Sequence, residues 1–515
     1  MSEILFRRNL NVGSNSAECD SEFLENCFIE TTEYKEIMDF NNKKMILLGR
    51  TGSGKTALLN RVKNEVDVYI EVRPDTFVLQ YITNVPFVAS LKNQGVNLDI
   101  FYKFLWLHEI ISQIIKKYFA YNKKDFLQEI REKVNDKGRI AELNRYLSEY
   151  DNIFFDEGST EKITKDIENS LSATLGHSMG IIAGKVKGEL KESEKVEIQA
   201  KASQYINKKQ INQLKNIITI FKDYFKQNKQ KKIIVGIDNL DENWIDDESK
   251  YKILDSLLNA IKLFIEIPNV KILLAMRADL LAKTCEVTKR QNEKDTSYTL
   301  KINWTKLNLE NLLNKRLEYL LQFKYKKNSK ISFNDVFDFD INGKPAYDYI
   351  IERTMMRPRD IIDFINYCIE DADGKTKMTA QNVLNAEEYF RRSRLEALSH
   401  EWYNNYGNID SYIEIIKLLG NEFNYNEINI DDFYHQLETI CYNCPLFEKF
   451  MENNSDKFGK EKNIRETLNI LYIMGLIGIK HETTTQFATP NSPTLNTYDF
   501  CKKDLKFVVH PLFKT

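Results

Sequence analysis

Residues 45–56 read Met45-Ile46-Leu47-Leu48-Gly49-Arg50-Thr51-Gly52-Ser53-Gly54-Lys55-Thr56, an apolar run that passes into a complete G-x-x-x-x-G-K-[ST] loop. An apolar run of this kind reads as a buried strand. It ends where glycines let the backbone wrap, so that successive N–H groups face a polyphosphate and a helix opens behind them at Ala57-Leu58-Leu59. Gly49, Arg50, Thr51, Gly52, Ser53 and Gly54 are expected to line the phosphates. Lys55 reaches the outer phosphates as a point charge, and Thr56 offers its hydroxyl to a magnesium ion. A chance glycine turn fits this spacing poorly.

A second strand, Ile233-Ile234-Val235-Gly236-Ile237, ends in Asp238-Asn239-Leu240-Asp241-Glu242. It follows the basic stretch 226–232 and reads as a fully buried parallel strand whose carboxyl end carries acid, where ligands gather in open α/β sheets. Asp238 is expected to hold the magnesium shell. Asp241 or Glu242 stands where a carboxylate can orient or deprotonate the attacking water. A solvated acidic turn is the competing reading, because Asp246, Asp247 and Glu248 follow closely.

Val270 to Met276 reads as a third strand ending at Arg277, and Tyr298 to Ile302 as a fourth leading to Trp304. Arg277 is a candidate sensor of the terminal phosphate; a surface arginine closing a strand accounts for it nearly as well. The segment Met356-Arg357-Pro358-Arg359-Asp360 opens a helix with proline in its first turn. Arg357 and Arg359 either present forks to phosphate oxygens or form ion pairs with Asp360 and Asp363.

In the order of these parts the chain resembles the P-loop ATPases of the AAA+ and STAND lineage, which includes the NACHT, KAP and origin-recognition groups. Gly49–Thr56 matches their Walker A loop, and Ile237 to Trp244 looks like the extended Walker B of NACHT-type proteins. Asn239 departs from the tiny residue that pattern wants. Met276-Arg277 matches sensor 1, and Arg357-Pro358-Arg359-Asp360 is similar to the sensor 2 arginine of a helical lid. The whole layout, with Ala17-Glu18, the Trp304–Leu313 run and Phe507-Val508-Val509-His510-Pro511, also resembles a poorly characterised bacterial group of P-loop ATPases, many found in phage-defence operons. The resemblance implies ATP and Mg2+ as cofactors and places Arg290 where a relative's arginine acts in trans.

Lys plus Arg number 73 against 75 Asp plus Glu, so no global positive field recruits nucleic acid. No stretch approaches the length that spans a bilayer, and no signal segment opens the sequence. A cytoplasmic protein without membrane contact is expected. Seven cysteines, odd and sparse, fit a reduced compartment. Cys441 and Cys444 form the one close pair, too few ligands for zinc. His400 and His510 sit among apolar neighbours and are expected to be packed.

Between Lys55 and Asp238 lie 238 − 55 = 183 positions, far more than one crossover needs. An insertion at about 97–210 is expected, with helices over 101–119 and 123–147. Over 174–200, glycines and then alternation at 185–190 and 195–198 suggest a hairpin or β-arm for a neighbouring subunit. Near the end, a helix over 463–474, a strand over 477–481, a polar excursion and a strand over 505–510 describe a winged-helix module; its wing, 482–498, has no Lys or Arg.

The fold expected is α/β: a P-loop NTPase core with a parallel sheet over 1–305, a helical lid over 306–385, and a helical and winged-helix domain over 386–515. The function expected is an ATP-hydrolysing switch that couples nucleotide state to self-assembly, as a homo-oligomer, or to a separate effector protein in anti-phage defence. A DNA-binding initiator or transposition helper is the alternative, and nucleic acid is the less favoured partner. A P-loop kinase fits the Asp238–Glu242 motif poorly.

Overall fold

The computed structural model describes residues 5–74, 91–93, 95–119, 123–150, 165, 168–169, 191–206, 211–227, 231–241, 247–325, 331–442, 457–482, 484–501 and 505–514. They fall into two compact units. One comprises 32–48 and 58–300, the other 1–31, 49–57 and 301–515.

The first unit is built on a five-stranded parallel sheet, ordered β2-β3-β4-β1-β5. Its strands are β1 (Ile46–Gly49), β2 (Val68–Val72), β3 (Ile233–Ile237), β4 (Val270–Arg277) and β5 (Thr299–Lys301). Val68 to Val72 pair in register with Ile233 to Ile237, which pair in turn with Val270 to Leu274. β1, β3 and β4 are buried along their whole length. A parallel sheet is covered on both faces, which is why these strands read as unbroken apolar runs.

Gly236 lies beneath a ring: a Cβ there would stand 2.0 Å from the Tyr69 hydroxyl. Helices Asp99–Tyr118 and Asp247–Ile261 pack together. The Trp106 indole donates to Ile253 O at 3.1 Å, and the Ser256 hydroxyl to Asp99 O. Lys271 is nearly buried on β4, and its amine donates to the carbonyls of Glu36, Ile37 and Asp39, closing the helix Thr32–Met38. Burial brings that amine down to about 8.

The expected β-arm is corrected in part. Residues 195–198 lie within the helix Glu192–Tyr205, because Glu, Lys, Gln and Ala are strong helix formers and Glu197 pairs with Lys201 one turn on, at 2.6 Å. Residues 174–190 lie outside the described residues, as does Cys444. The stretch 123–147 divides into helices Lys123–Lys133 and Lys137–Tyr150.

In the second unit the N-terminal segment is held by helices from much later in the chain. Asn366 accepts from Val12 N and donates to Gly13 O. Arg316 clasps both carboxylate oxygens of Asp20 and also donates to Val12 O; both side chains are under 5 % exposed. The helix Pro358–Asp371 has its proline in the first turn. Ala380–Tyr406 is capped by Thr379 and Asn382 acting on each other's backbone.

After a two-residue hairpin, β6 (Asp340–Ile341) and β7 (Lys344–Pro345), comes a four-stranded antiparallel sheet. It runs β10-β9-β11-β8, from β8 (Glu422–Asn424), β9 (Ile477–Lys480), β10 (Thr485–Gln486) and β11 (Lys506–Val509). The helix Lys457–Met474 precedes β9 and stops at Gly475, whose φ is +83°. His510 is buried as expected, its Nε2 at 3.2 Å from Thr354 O. His400 instead lies outside the core, because its helix buries Leu398 and Trp402 on another face. No described helix is long and apolar enough to cross a membrane.

Candidate functional site

β1 ends in the Gly49–Thr56 loop, and the helix Lys55–Lys63 begins at its lysine. Gly52 and Gly54 adopt φ of +75° and +89°, backbone that L side chains rarely enter. Gly49 has no room for a side chain, since a Cβ would stand 2.2 Å from Ser53 Oγ. The Lys55 amine turns back onto the loop, donating to Gly49 O at 3.3 Å and Arg50 O at 3.0 Å. The hydroxyls of Thr51 and Ser53 are buried without a hydrogen-bond partner. Thr56 occupies the first turn of the helix.

Three later residues of the same unit hold this loop. The Trp304 indole donates to Ser53 O at 2.9 Å. Arg359 donates its backbone N–H to Gly52 O and its Nε to Asn15 O, and its side chain lies 3.0 Å from where a Cβ on Gly52 would be. Arg357 donates from Nη1 to Thr51 O at 2.8 Å and grips Asp360 with Nε and Nη2 at 2.9 and 3.0 Å. Its fork is committed to the loop backbone and to Asp360.

Asp360 is 1 % exposed and also accepts from Met355 N. Burial alone would raise its carboxyl, but the Arg357 and Arg394 guanidiniums hold it well below the ordinary carboxylate range. Arg394, from the long helix Ala380–Tyr406, stands 3.8 Å from Asp360 and 3.7 Å from Glu401. Its Nε and Nη2 are buried without a hydrogen bond. Burial, with Arg357 beside it, lowers Arg394 to about 10. Burial also lowers Arg50 to about 10, and its charged neighbours are Arg357, Glu401, Arg394 and Asp360. Arg50, Arg357 and Arg394 thus lie among the carboxylates of Asp360 and Glu401, with Asp363 close to Asp360 and Arg394.

The remaining candidates lie in the other unit. Asp238, directly after β3, is partly exposed and accepts from Asn239 N at 2.9 Å; Asn239 is left-handed at φ +61°. Arg277, at the end of β4, forks onto Asp279 at 3.1 and 2.9 Å and stands 3.8 Å from Asp241. Asp241 is exposed, and its carbonyl accepts from the buried Lys250 amine. Glu242 lies outside the described residues. Arg290 is tied to Asp255 at 2.6 Å, Asn259 at 2.9 Å and Asp295 at 2.5 Å, with its side chain 8 % exposed, so it is committed to a packed ion network within its own chain. No cluster of metal-ligating side chains forms among the described residues.

The structure places Arg357 and Arg359 beside the loop, together with Trp304, Asn15 and Arg394, which sequence reasoning did not single out as its partners or neighbours. The spacing of Arg357 and Asp360 signalled the ion pair. Bonds to backbone carbonyls leave no signal in the sequence.

Residues 307–399 match the FunZ-associated C-terminal helical domain. The chain is also 20 % identical, over 522 aligned positions, to an 80.3 kDa protein of Escherichia coli strain K12 named for transposon gamma-delta. That alignment spans 97 % of this chain and 66 % of the other protein.

Proposed function

We propose that this chain is a magnesium-dependent ATP switch of the AAA+ and STAND lineage, with a P-loop core and a C-terminal winged helix, that couples nucleotide state to self-assembly or to a separate effector in anti-phage defence. The observation that carries the reading is the Gly49–Thr56 loop. It has two left-handed glycines, no space for a Cβ at Gly49, two buried hydroxyls without partners and a lysine amine turned onto the loop's own carbonyls. Such a loop fits a polyphosphate, whose oxygens would replace Gly49 O and Arg50 O as acceptors for Lys55.

Bound magnesium neutralises charge on the phosphate oxygens. In this reading Thr56 and Asp238 would be the residues that hold the metal, and Asp241 or Glu242 would orient the attacking water and take its proton. Arg277, forked onto Asp279, would be the residue that senses the terminal phosphate. Arg359 answers the phosphates from the loop's flank, whereas Arg357 braces the loop through Thr51 O. Contacts made with ATP and weakened with ADP can bias a two-state element by a few kcal/mol.

Hydrolysis rate and light-scattering mass of the full chain, measured with ATP and with ADP, test the reading. Lys55→Ala should abolish nucleotide-dependent mass, and Asp241→Ala with Glu242→Ala should hold the ATP-dependent state. No nucleotide dependence in the wild-type chain would refute it.

A second reading, a DNA-binding helper of transposition, is favoured by the relative named for transposon gamma-delta. Hydrolysis that rises only with duplex DNA, in a chain of constant mass, would select it.

A further inference from the structure

Arg50 follows Gly49 directly, yet its guanidinium serves a region more than four hundred positions away. Nη2 donates to Ile473 O and Met474 O, both at 3.1 Å, and Nη1 donates to Ala488 O at 3.1 Å. Ile473 and Met474 close the helix Lys457–Met474, where carbonyls lack intrahelical donors and the helix presents its negative end. Gly475 lies against the fork. A Cβ there would stand 2.9 Å from Nη2 and 3.0 Å from Nη1, and its φ of +83° already disfavours any other residue.

The joint is specific because a planar fork bonds three carbonyls only in one relative placement. Moving the segment 473–488 must release or drag Arg50, which is bonded covalently to Gly49 and Thr51. Reshaping the loop must in turn disturb the end of the helix. The Arg50 backbone carbonyl also accepts the Lys55 amine, so a ligand that draws Lys55 away acts on the same residue.

We propose that Arg50 is a positioning residue that links ligand occupancy of the Gly49–Thr56 loop to docking of the C-terminal helix and sheet. The inference rests on the nucleotide reading of the loop. Linkage is reciprocal: whatever loosens the joint from the C-terminal side must alter affinity at the loop by the factor with which the ligand loosens the joint.

A double-mutant cycle on the full chain tests this, with affinities for a magnesium-bound, non-hydrolysable ATP analogue and for ADP read by calorimetry. Arg50→Lys and Gly475→Ala should each change the affinity for one of the ligands by about five- to tenfold, and the double variant by no more than either alone. Hydrogen exchange of the wild-type chain should show ligand-dependent protection changes at amides between Ile473 and Ala488. Overturning results are a folded Gly475→Ala chain with wild-type affinities, effects that multiply in the double variant, or wild-type binding with no exchange change over that segment. The exchange measurement decides even if a variant does not fold. A wild-type chain that binds neither ligand overturns the nucleotide reading itself.

Discussion

The substitution Asp360→Asn removes the charge on which the second unit's buried arginines converge. The carboxylate is 1 % exposed, meets the Arg357 fork through both oxygens and accepts from Met355 N, with Arg394 at 3.8 Å. The amide keeps the shape and one acceptor but leaves Arg357, itself 2 % exposed, without a counter-charge. Removing one member of a buried pair costs about 3–5 kcal/mol. For a unit of about 150–250 residues this lowers the melting temperature by roughly 6–20 °C. Scanning calorimetry of the full chain at neutral pH is the assay, with Glu388→Gln as control. Glu388 and Arg392 pair at 3.0 Å with side chains 44 % and 73 % exposed, and such a pair contributes no more than about 1 kcal/mol. The Asp360 carboxyl titrates below its unfolded value, so its stabilisation is complete above about pH 4 and is lost as the pH falls further. The deficit of the variant should therefore shrink in acid. A shift at neutral pH no larger than that of Glu388→Gln would refute the reasoning.

Burial lowers His510 to about 4, so the folded chain holds it neutral. Its contribution is complete above about pH 6.5 and falls as the pH drops toward 4, on the order of 3 kcal/mol across that window; urea midpoints should fall in that window for wild type and flatten for His510→Gln. Gly52→Ala places an L side chain at φ +75° with its Cβ 3.0 Å from that of Arg359; a strain of roughly 1–2 kcal/mol should weaken nucleotide binding measured by calorimetry. Trp304→Phe deletes the donor to Ser53 O and should lower stability by about 1 kcal/mol, read from the thermal midpoint. Arg290→Met leaves Asp255 without its ion partner and Asp295 with Lys262 alone and should lower the melting temperature with no change in particle mass; a selective loss of assembly would instead assign it a role between chains.

β3 and β4 were legible because burial on both faces leaves an unbroken apolar run in Ile233–Ile237 and Val270–Met276, whereas β2, Val68–Val72, was not read, its run being broken by the exposed Glu71. The short strand Glu422–Asn424 was not: it has three residues and takes its place only by pairing with Lys506–Val508. Residues 195–198 misled because Lys-Val-Glu-Ile alternates over four positions, too few to separate a period of two from one of 3.6. At the candidate site, residue types announced the loop and its acids. What each arginine touches was settled by tertiary packing: Arg357 and Arg50 both bond backbone carbonyls, which every residue carries and no pattern distinguishes.

The division of the chain has a consequence for synthesis. Gly49–Ala57 is made early, but the residues that brace it come late: Arg357 lies 306 positions beyond Thr51, and Met474 lies 424 beyond Arg50. The strands β1 to β5 can pair once residue 301 has emerged, while the bracing of the loop waits for Arg357 and for the carbonyls of residues 473–488. Contacts of such separation close slowly, and domains complete first nearer the amino end. A nascent chain stalled before residue 457 therefore carries the loop sequence without the carbonyls of Ile473, Met474 and Ala488 that hold Arg50, so the loop takes its braced form only after residues far downstream have been made.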